Sequence, residues 1–213
     1  MPKTFERGFV KVCGVTNVAD AEVAVNAGAS AIGLILSESP RRVTLEQARE
    51  ISAAVGGDVL RCAVFRLEND DDVLEMLDDL DVDVVQVHGA LSQALATSIR
   101  ERSLILVKAL DIGGPEFDEF DDTVVDAVLL DGPRPGSGVT HSWDRLAERG
   151  FRVPLIAAGG LNPDNVAEVI HATNAWGVDS ASGVESGPRQ KDAELVRRYV
   201  ANAHGAFSHQ GVT

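Results

Sequence analysis

Along the chain, short runs of β-branched and aliphatic residues alternate with longer segments whose apolar positions recur at helical spacing. Eight runs read as strands: Phe9 to Cys13, Ala31 to Leu36, Leu60 to Phe65, Val84 to Val87, Leu104 to Ala109, Ala127 to Asp131, Leu155 to Ala158 and Gly177 to Ser180. They are spaced about 20 to 30 residues apart, room for a strand, a crossover helix and two short loops. Repeated βα units of this kind build a parallel sheet.

The intervening segments carry helix signals. Thr44-Leu-Glu-Gln47 is a capping-box pattern, and Asn162-Pro163 sets a capping side chain before a proline suited to a first helical turn. Leu195, Val196, Tyr199, Val200 and Ala203 form one apolar stripe, and Val73, Leu74, Leu77 and Leu80 another; both should face the sheet. Asp111 to Thr123, with its Gly-Gly-Pro and many acids, supports at most a short fifth helix.

No proline- or serine-rich linker divides the chain, so residues 1–205 read as a single domain and 206–213 as a loose tail. Eight βα units in one domain favour a closed (β/α)8 TIM barrel, and 213 residues lies near the lower end of the roughly 200-to-400 range for it. An open doubly wound sheet is the alternative. It normally uses five or six strands, and the first βα turn, Cys13-Gly-Val-Thr16, lacks a Gly-x-Gly-x-x-Gly fingerprint.

Composition then narrows the partners. With 33 acidic and 19 basic side chains the formal charge is −14, which opposes binding to nucleic-acid backbones and to anionic membrane surfaces. Lysine is scarce beside arginine, and aspartate comes in runs such as Asp70-Asp71-Asp72, a balance suited to a high-salt cytoplasm. There a Debye length of only ~3 Å at 1 M removes most of the self-repulsion. Two cysteines make no disulfide framework, no apolar signal core opens the chain, and no window is apolar enough to span a bilayer. A reducing, cytoplasmic setting is expected.

In such a barrel the reactive groups sit where strands end and βα loops begin. Cys13 ends the first strand with a helix start close by, an environment expected to favour thiolate and so a base or nucleophile; the alternative is a small core residue. Cys62, mid-strand, reads as core. Asp131 follows a largely apolar run, and partial desolvation would suit it to donate a proton; the alternative is an acid bonded to loop amides. Asp126 and Asp179, before or inside strands, are weaker candidates. Gly159-Gly160 and Ser182-Gly183, after strands seven and eight, resemble an anion pocket of backbone amides. Arg41, in Ser39-Pro-Arg, offers a fork for a carboxylate or is a surface cation. Gln86 and His88 line the same mouth unless His88 serves only to bond a backbone carbonyl. No spacing suggests a metal.

Taken in order, Lys11-Val-Cys-Gly-Val-Thr16, Ser39-Pro-Arg41, Val85-Gln-Val-His-Gly89, Leu129-Leu-Asp131, Gly136-Ser-Gly138, Ala158-Gly-Gly-Leu-Asn-Pro163 and Asp179 to Glu185 resemble the phosphoribosylanthranilate isomerase family, over residues 9 to 203. The resemblance implies a single-domain (β/α)8 barrel of tryptophan biosynthesis, an aldose–ketose isomerase catalysing an Amadori rearrangement. Its substrate is N-(5-phosphoribosyl)anthranilate and its product 1-(2-carboxyphenylamino)-1-deoxyribulose 5-phosphate. Cys13 matches the general base, Asp131 the general acid and Arg41 the contact to the anthranilate carboxylate. Gly159, Gly160, Ser182 and Gly183 match the phosphate-binding loops. Neither metal nor organic cofactor is implied, because the imine nitrogen serves as electron sink. The implied partner is one small phosphorylated substrate, bound by a monomer or homodimer.

Two departures concern loop geometry. Ile35-Leu-Ser-Glu-Ser39 is short before the arginine, and the eighth strand reads Asp179-Ser-Ala-Ser-Gly where a more apolar run is usual. His141, Trp143 and Gly136-Ser-Gly138 are expected to form a lid beside Asp131, or simply a turn. Two other functions compete: another phosphosugar barrel, such as a thiamine-phosphate synthase or a sugar-phosphate epimerase, and a catalytically silent barrel that binds a phosphorylated metabolite.

Overall fold

The structure, a computed structural model, describes residues 5–66, 69–132 and 149–210. Eight parallel strands close into a barrel in chain order: β1 (Phe9–Cys13), β2 (Ala31–Ile35), β3 (Leu60–Arg66), β4 (Val84–His88), β5 (Ile105–Asp111), β6 (Ala127–Asp131), β7 (Leu155–Ala158) and β8 (Gly177–Ser180). The ring closes where β1 pairs with β8, Lys11 opposite Asp179. This excludes the open sheet.

Successive strand residues face opposite ways, and the burial follows. Phe9, Cys13, Ala31, Leu60, Cys62, Val64, Val107, Leu129 and Ile156 belong to an inner cluster that fills the barrel. Val10, Val12, Ile32, Leu34, Val85 and Val128 belong to the larger cluster shared with the helices. Those helices are α1 (Val18–Ala27), α2 (Leu45–Val55), α3 (Asp70–Asp78), α4 (Gln93–Glu101), α5 (Val166–Thr173) and α6 (Ala193–Gln210). Both halves of the Thr44/Gln47 capping box are made at the start of α2. On α6 the predicted stripe is buried, with Val196, Tyr199, Val200 and Ala203 wholly covered.

The structure departs from expectation in four places. Helix α5 starts at Val166, because the Asn162 side chain accepts from the amides of Asp164 and Asn165 and forms a tight turn ahead of the helix. Residues 111–123 hold turns and the beginning of a 3-10 turn at Asp122–Val124; Gly113, at φ +82°, stops a helix there. The loose tail expected from Ala206 is helical through Gln210, since Ala206 is buried and Phe207 packs beside Gly8. A small hairpin, β9 (Glu185–Gly187) and β10 (Gln190–Lys191), follows β8. Among the described residues no helix is long and apolar enough to cross a membrane.

Candidate active site

At the C-terminal ends of the strands lies an open cavity of about 780 Å³, lined by Arg41, Arg42, Arg66, His88 and Asp131 among others. Three arginines and three carboxylates, Glu38, Asp72 and Asp131, face this mouth in a chain of net charge −14, so any preference for an anion rests on where individual guanidinium groups sit rather than on the overall charge. The expected lid residues His141, Trp143 and Gly136 to Gly138 lie outside the described residues.

Arg41 owes its place to a tight turn after β2, in which the Ser39 hydroxyl oxygen accepts from the Arg41 amide. Its aliphatic stem lies across the turn that follows β1, where a Cβ on Gly14 would sit 2.5 Å from Arg41 Cδ. Nε and Nη2 each donate to Glu185, both at 2.7 Å. The same carboxylate accepts from Lys191 Nζ at 3.0 Å, and that ammonium also donates to the Ala181 carbonyl. Burial alone would raise the Glu185 carboxyl, but the hydrogen bonds from Arg41 and Lys191 outweigh it and hold it below its ordinary value. Burial pushes Lys191 down despite Glu185. Glu185 uses the Nε–Nη2 edge of the fork and leaves the Nη1 edge to a ligand.

Asp131 ends β6 half-buried at the cavity wall. Its carboxylate lies over the start of the β7 loop: a Cβ on Gly159 would meet Asp131 Oδ1 at 2.9 Å and the Gly132 carbonyl at 2.5 Å. Glycine at φ +91° is what this approach requires. The other glycine turn comes to the same place. A Cβ on Gly183 would lie 1.8 Å from the Leu161 carbonyl oxygen, to which the Ser180 hydroxyl donates at 2.6 Å. The turns holding Gly159, Gly160, Ser182 and Gly183 are therefore in contact.

His88 also lines the cavity, with Gln86 buried behind it and Gln86 Nε2 2.9 Å from His88 Nε2. An amide nitrogen only donates, so the imidazole accepts there and is neutral. Burial is the main cause that pushes His88 down to about 4, helped by Lys11, Arg66 and Lys108. Its partner is thus a side chain, not the backbone carbonyl considered from sequence.

Cys13 requires a correction. It ends β1 facing the barrel interior, 6% exposed, and is not among the residues lining the cavity. Burial raises its pKa and outweighs the opposing pull of Lys11, so the unliganded site does not favour thiolate as the nearby helix start suggested. Asp179, ranked as a weak candidate, forms a buried ion pair with Lys11 at 2.9 Å. Cys62 is core, its thiol pushed up to about 12 by burial.

Sequence reasoning missed Glu185, Lys191 and Arg66 as site residues and gave Lys11 no role. One signal was available. Lysine is rare in this arginine-rich chain, and the three lysines among the described residues, Lys11, Lys108 and Lys191, are all buried and each paired with a carboxylate.

Residues 10–202 match a family model described as N-(5'-phosphoribosyl)anthranilate (PRA) isomerase. The N-(5'-phosphoribosyl)anthranilate isomerase of Rubrobacter xylanophilus is 39% identical over 203 residues, 91% of this chain and 98% of that one. The solved phosphoribosyl anthranilate isomerase of Thermotoga maritima is 34% identical, with 92% of this chain and 98% of that chain covered at a TM-score of 0.78. Another solved phosphoribosyl anthranilate isomerase, in complex with reduced 1-(o-carboxyphenylamino)-1-deoxyribulose 5-phosphate, is 32% identical, with the same coverage and a TM-score of 0.77.

Proposed function

The chain belongs to the N-(5'-phosphoribosyl)anthranilate isomerase family, and from that premise we propose that Cys13 and Asp131 carry the two proton transfers of its reaction. The reaction is the Amadori rearrangement of N-(5-phosphoribosyl)anthranilate in tryptophan biosynthesis. The Asp131 carboxyl gives its proton to the furanose ring oxygen, and the ring opens to a Schiff base. The Cys13 thiolate then takes the proton from C2. The electron pair moves into the iminium and gives an enolamine, which tautomerises to the ketone as the two residues exchange their protons back. Base and acid end as they began.

The remaining site residues hold the substrate. Arg41 meets the anthranilate carboxylate with the Nη1 edge that Glu185 does not use, and backbone amides at Gly159, Gly160, Ser182 and Gly183 seat the phosphate. Gln86 fixes the neutral His88 against the cavity wall. The same reading makes the chain a cytoplasmic monomer or homodimer, with its two free cysteines suited to a reducing compartment.

One observation carries this reading. Asp131 from the end of β6 and Arg41 from the loop after β2 line one cavity at the C-terminal end of the barrel, and Cys13, at the same end of β1, lies buried near Arg41. The test is complementation of a tryptophan auxotroph lacking this isomerase, in a host whose salt suits the protein, with an anthranilate-fluorescence assay on the purified chain. Growth together with turnover is expected. Soluble protein that gives neither would overturn the proposal.

A further inference from the structure

Below the mouth, inside the barrel, four polar groups sit where side-chain packing alone would place hydrocarbon. Lys11 falls between Phe9 and Cys13 on the inner register of β1, and its ammonium donates to Asp179 Oδ2 at 2.9 Å. The two side chains are 2% and 8% exposed. Opposite Cys13 on β2 is Gly33, where a Cβ would lie 2.6 Å from Cys13 Sγ and 3.1 Å from Lys11 Nζ. Thiol and ammonium thus share the space that the missing side chain leaves open. Cys62 of β3 lines the same interior.

As a device for stability this cluster is poorly made. Two buried charges cost desolvation energy that close pairing offsets only when the remaining polar atoms are also satisfied. Here the second carboxylate oxygen, Asp179 Oδ1, is buried with no hydrogen-bond partner among the described residues. Replacing such a pair by hydrocarbon is often neutral or stabilising, so stability alone does not account for an ammonium here, and what it faces becomes the question.

We propose that Lys11 is a positioning residue for proton abstraction: anchored by Asp179, its ammonium holds the ionised sulfur of Cys13 as an ion pair at the end of β1, and Asp179 limits the strength of that hold. The proposal rests on the reading of Cys13 as the base. Lys11 stays protonated throughout, since burial acts against its charge but Asp179 and the two thiols more than restore it. Among the groups acting on the sulfur, burial raises its pKa most, Lys11 lowers it, Asp179 raises it and Lys191 lowers it. Arg41 above and Cys62 beside it complete the set, and Glu185 is already committed to Arg41 and Lys191.

The two ends of this ion pair act on the thiol with opposite sign, which separates tuning from scaffolding. The experiment measures thiolate ultraviolet absorbance against pH, taken as the difference between each protein and its Cys13→Ala counterpart, beside the pH profile of kcat/KM. Lys11→Met should move the thiol midpoint and the acid-side limb of the profile, on which activity rises as the thiol ionises, up by about one pH unit or more, with activity recovering at high pH. Asp179→Asn should move both down. Midpoints that stay put, or that move the same way in both variants, overturn the proposal. If one variant does not fold, the direction in the other decides. Failure of the underlying reading looks different: Cys13→Ala would keep full turnover, whatever the absorbance midpoints show.

Discussion

Glu185 offers a test of the electrostatics that hold Arg41 in place. Its side chain is 5% exposed and serves two cations, of which Lys191 is wholly covered while Arg41 is 23% exposed. Glu185→Gln removes the charge and keeps the shape. Arg41 can then turn toward water, but Lys191 is left as a buried ammonium with one carbonyl partner, and breaking a buried pair from one side costs roughly 3–5 kcal/mol. Because Arg41 can relax, the lower end, about 3 kcal/mol at pH 7, is expected. Lys191→Met should cost less, about 1–2 kcal/mol, since Glu185 keeps the bidentate bonds from Arg41. The double variant leaves no buried ammonium, so it should be at least ~1 kcal/mol more stable than the two single losses added together. Urea unfolding of the four proteins measures this. A pH series adds a sign: burial already holds Lys191 below its ordinary value, and losing Glu185 lowers it further. The unfolded chain then binds the extra proton, and the stability of Glu185→Gln rises with pH up to the ordinary lysine value of ~10.4. Additive losses, or a cost below ~1 kcal/mol for Glu185→Gln, would refute the reasoning.

Two further outcomes follow from the cavity. Arg41→Ala should weaken binding of a carboxylated product analogue about 10- to 100-fold, the worth of charge-assisted hydrogen bonds of roughly 1.5–3 kcal/mol, with kcat changed less; calorimetry showing unchanged affinity would remove that role. His88 sits at about 4 in the fold against an ordinary 6.5, so between these values the unfolded chain binds more protons and stability falls as pH falls. His88→Gln should abolish up to about 3 kcal/mol of that loss, and equal slopes for the two proteins between pH 6.5 and 4 would contradict the neutral, buried imidazole.

The barrel was legible because its cause is local. Strands β1, β6, β7 and β8 begin and end where the runs of apolar residues do, and the two helical stripes bury as their spacing dictates. The helix starts are set by side chains as short-range as Thr44 and Gln47. Asn162 shows the limit of such signals: its side chain caps as expected, yet it closes a turn one step ahead of the helix. Candidate residues at strand ends were legible for the same reason, since Arg41, His88 and Asp131 reach the mouth simply by following their strands. The state of Cys13 was not, because it depends on Lys11 beside it and on burial by the whole ring. The Glu185 cluster joins a loop after β2 to a hairpin after β8, 144 residues apart in sequence between Arg41 and Glu185, and only the closed ring brings them into contact.

The central claim is that Cys13 and Asp131 move the protons. Single-turnover and steady-state assays of Cys13→Ala and Asp131→Asn with N-(5-phosphoribosyl)anthranilate, beside the affinity of a reduced product analogue, test it most directly. Each substitution should lower kcat by at least ~100-fold while analogue affinity changes little. Wild-type turnover in either variant, or a loss of analogue affinity as large as the loss of rate, would contradict it.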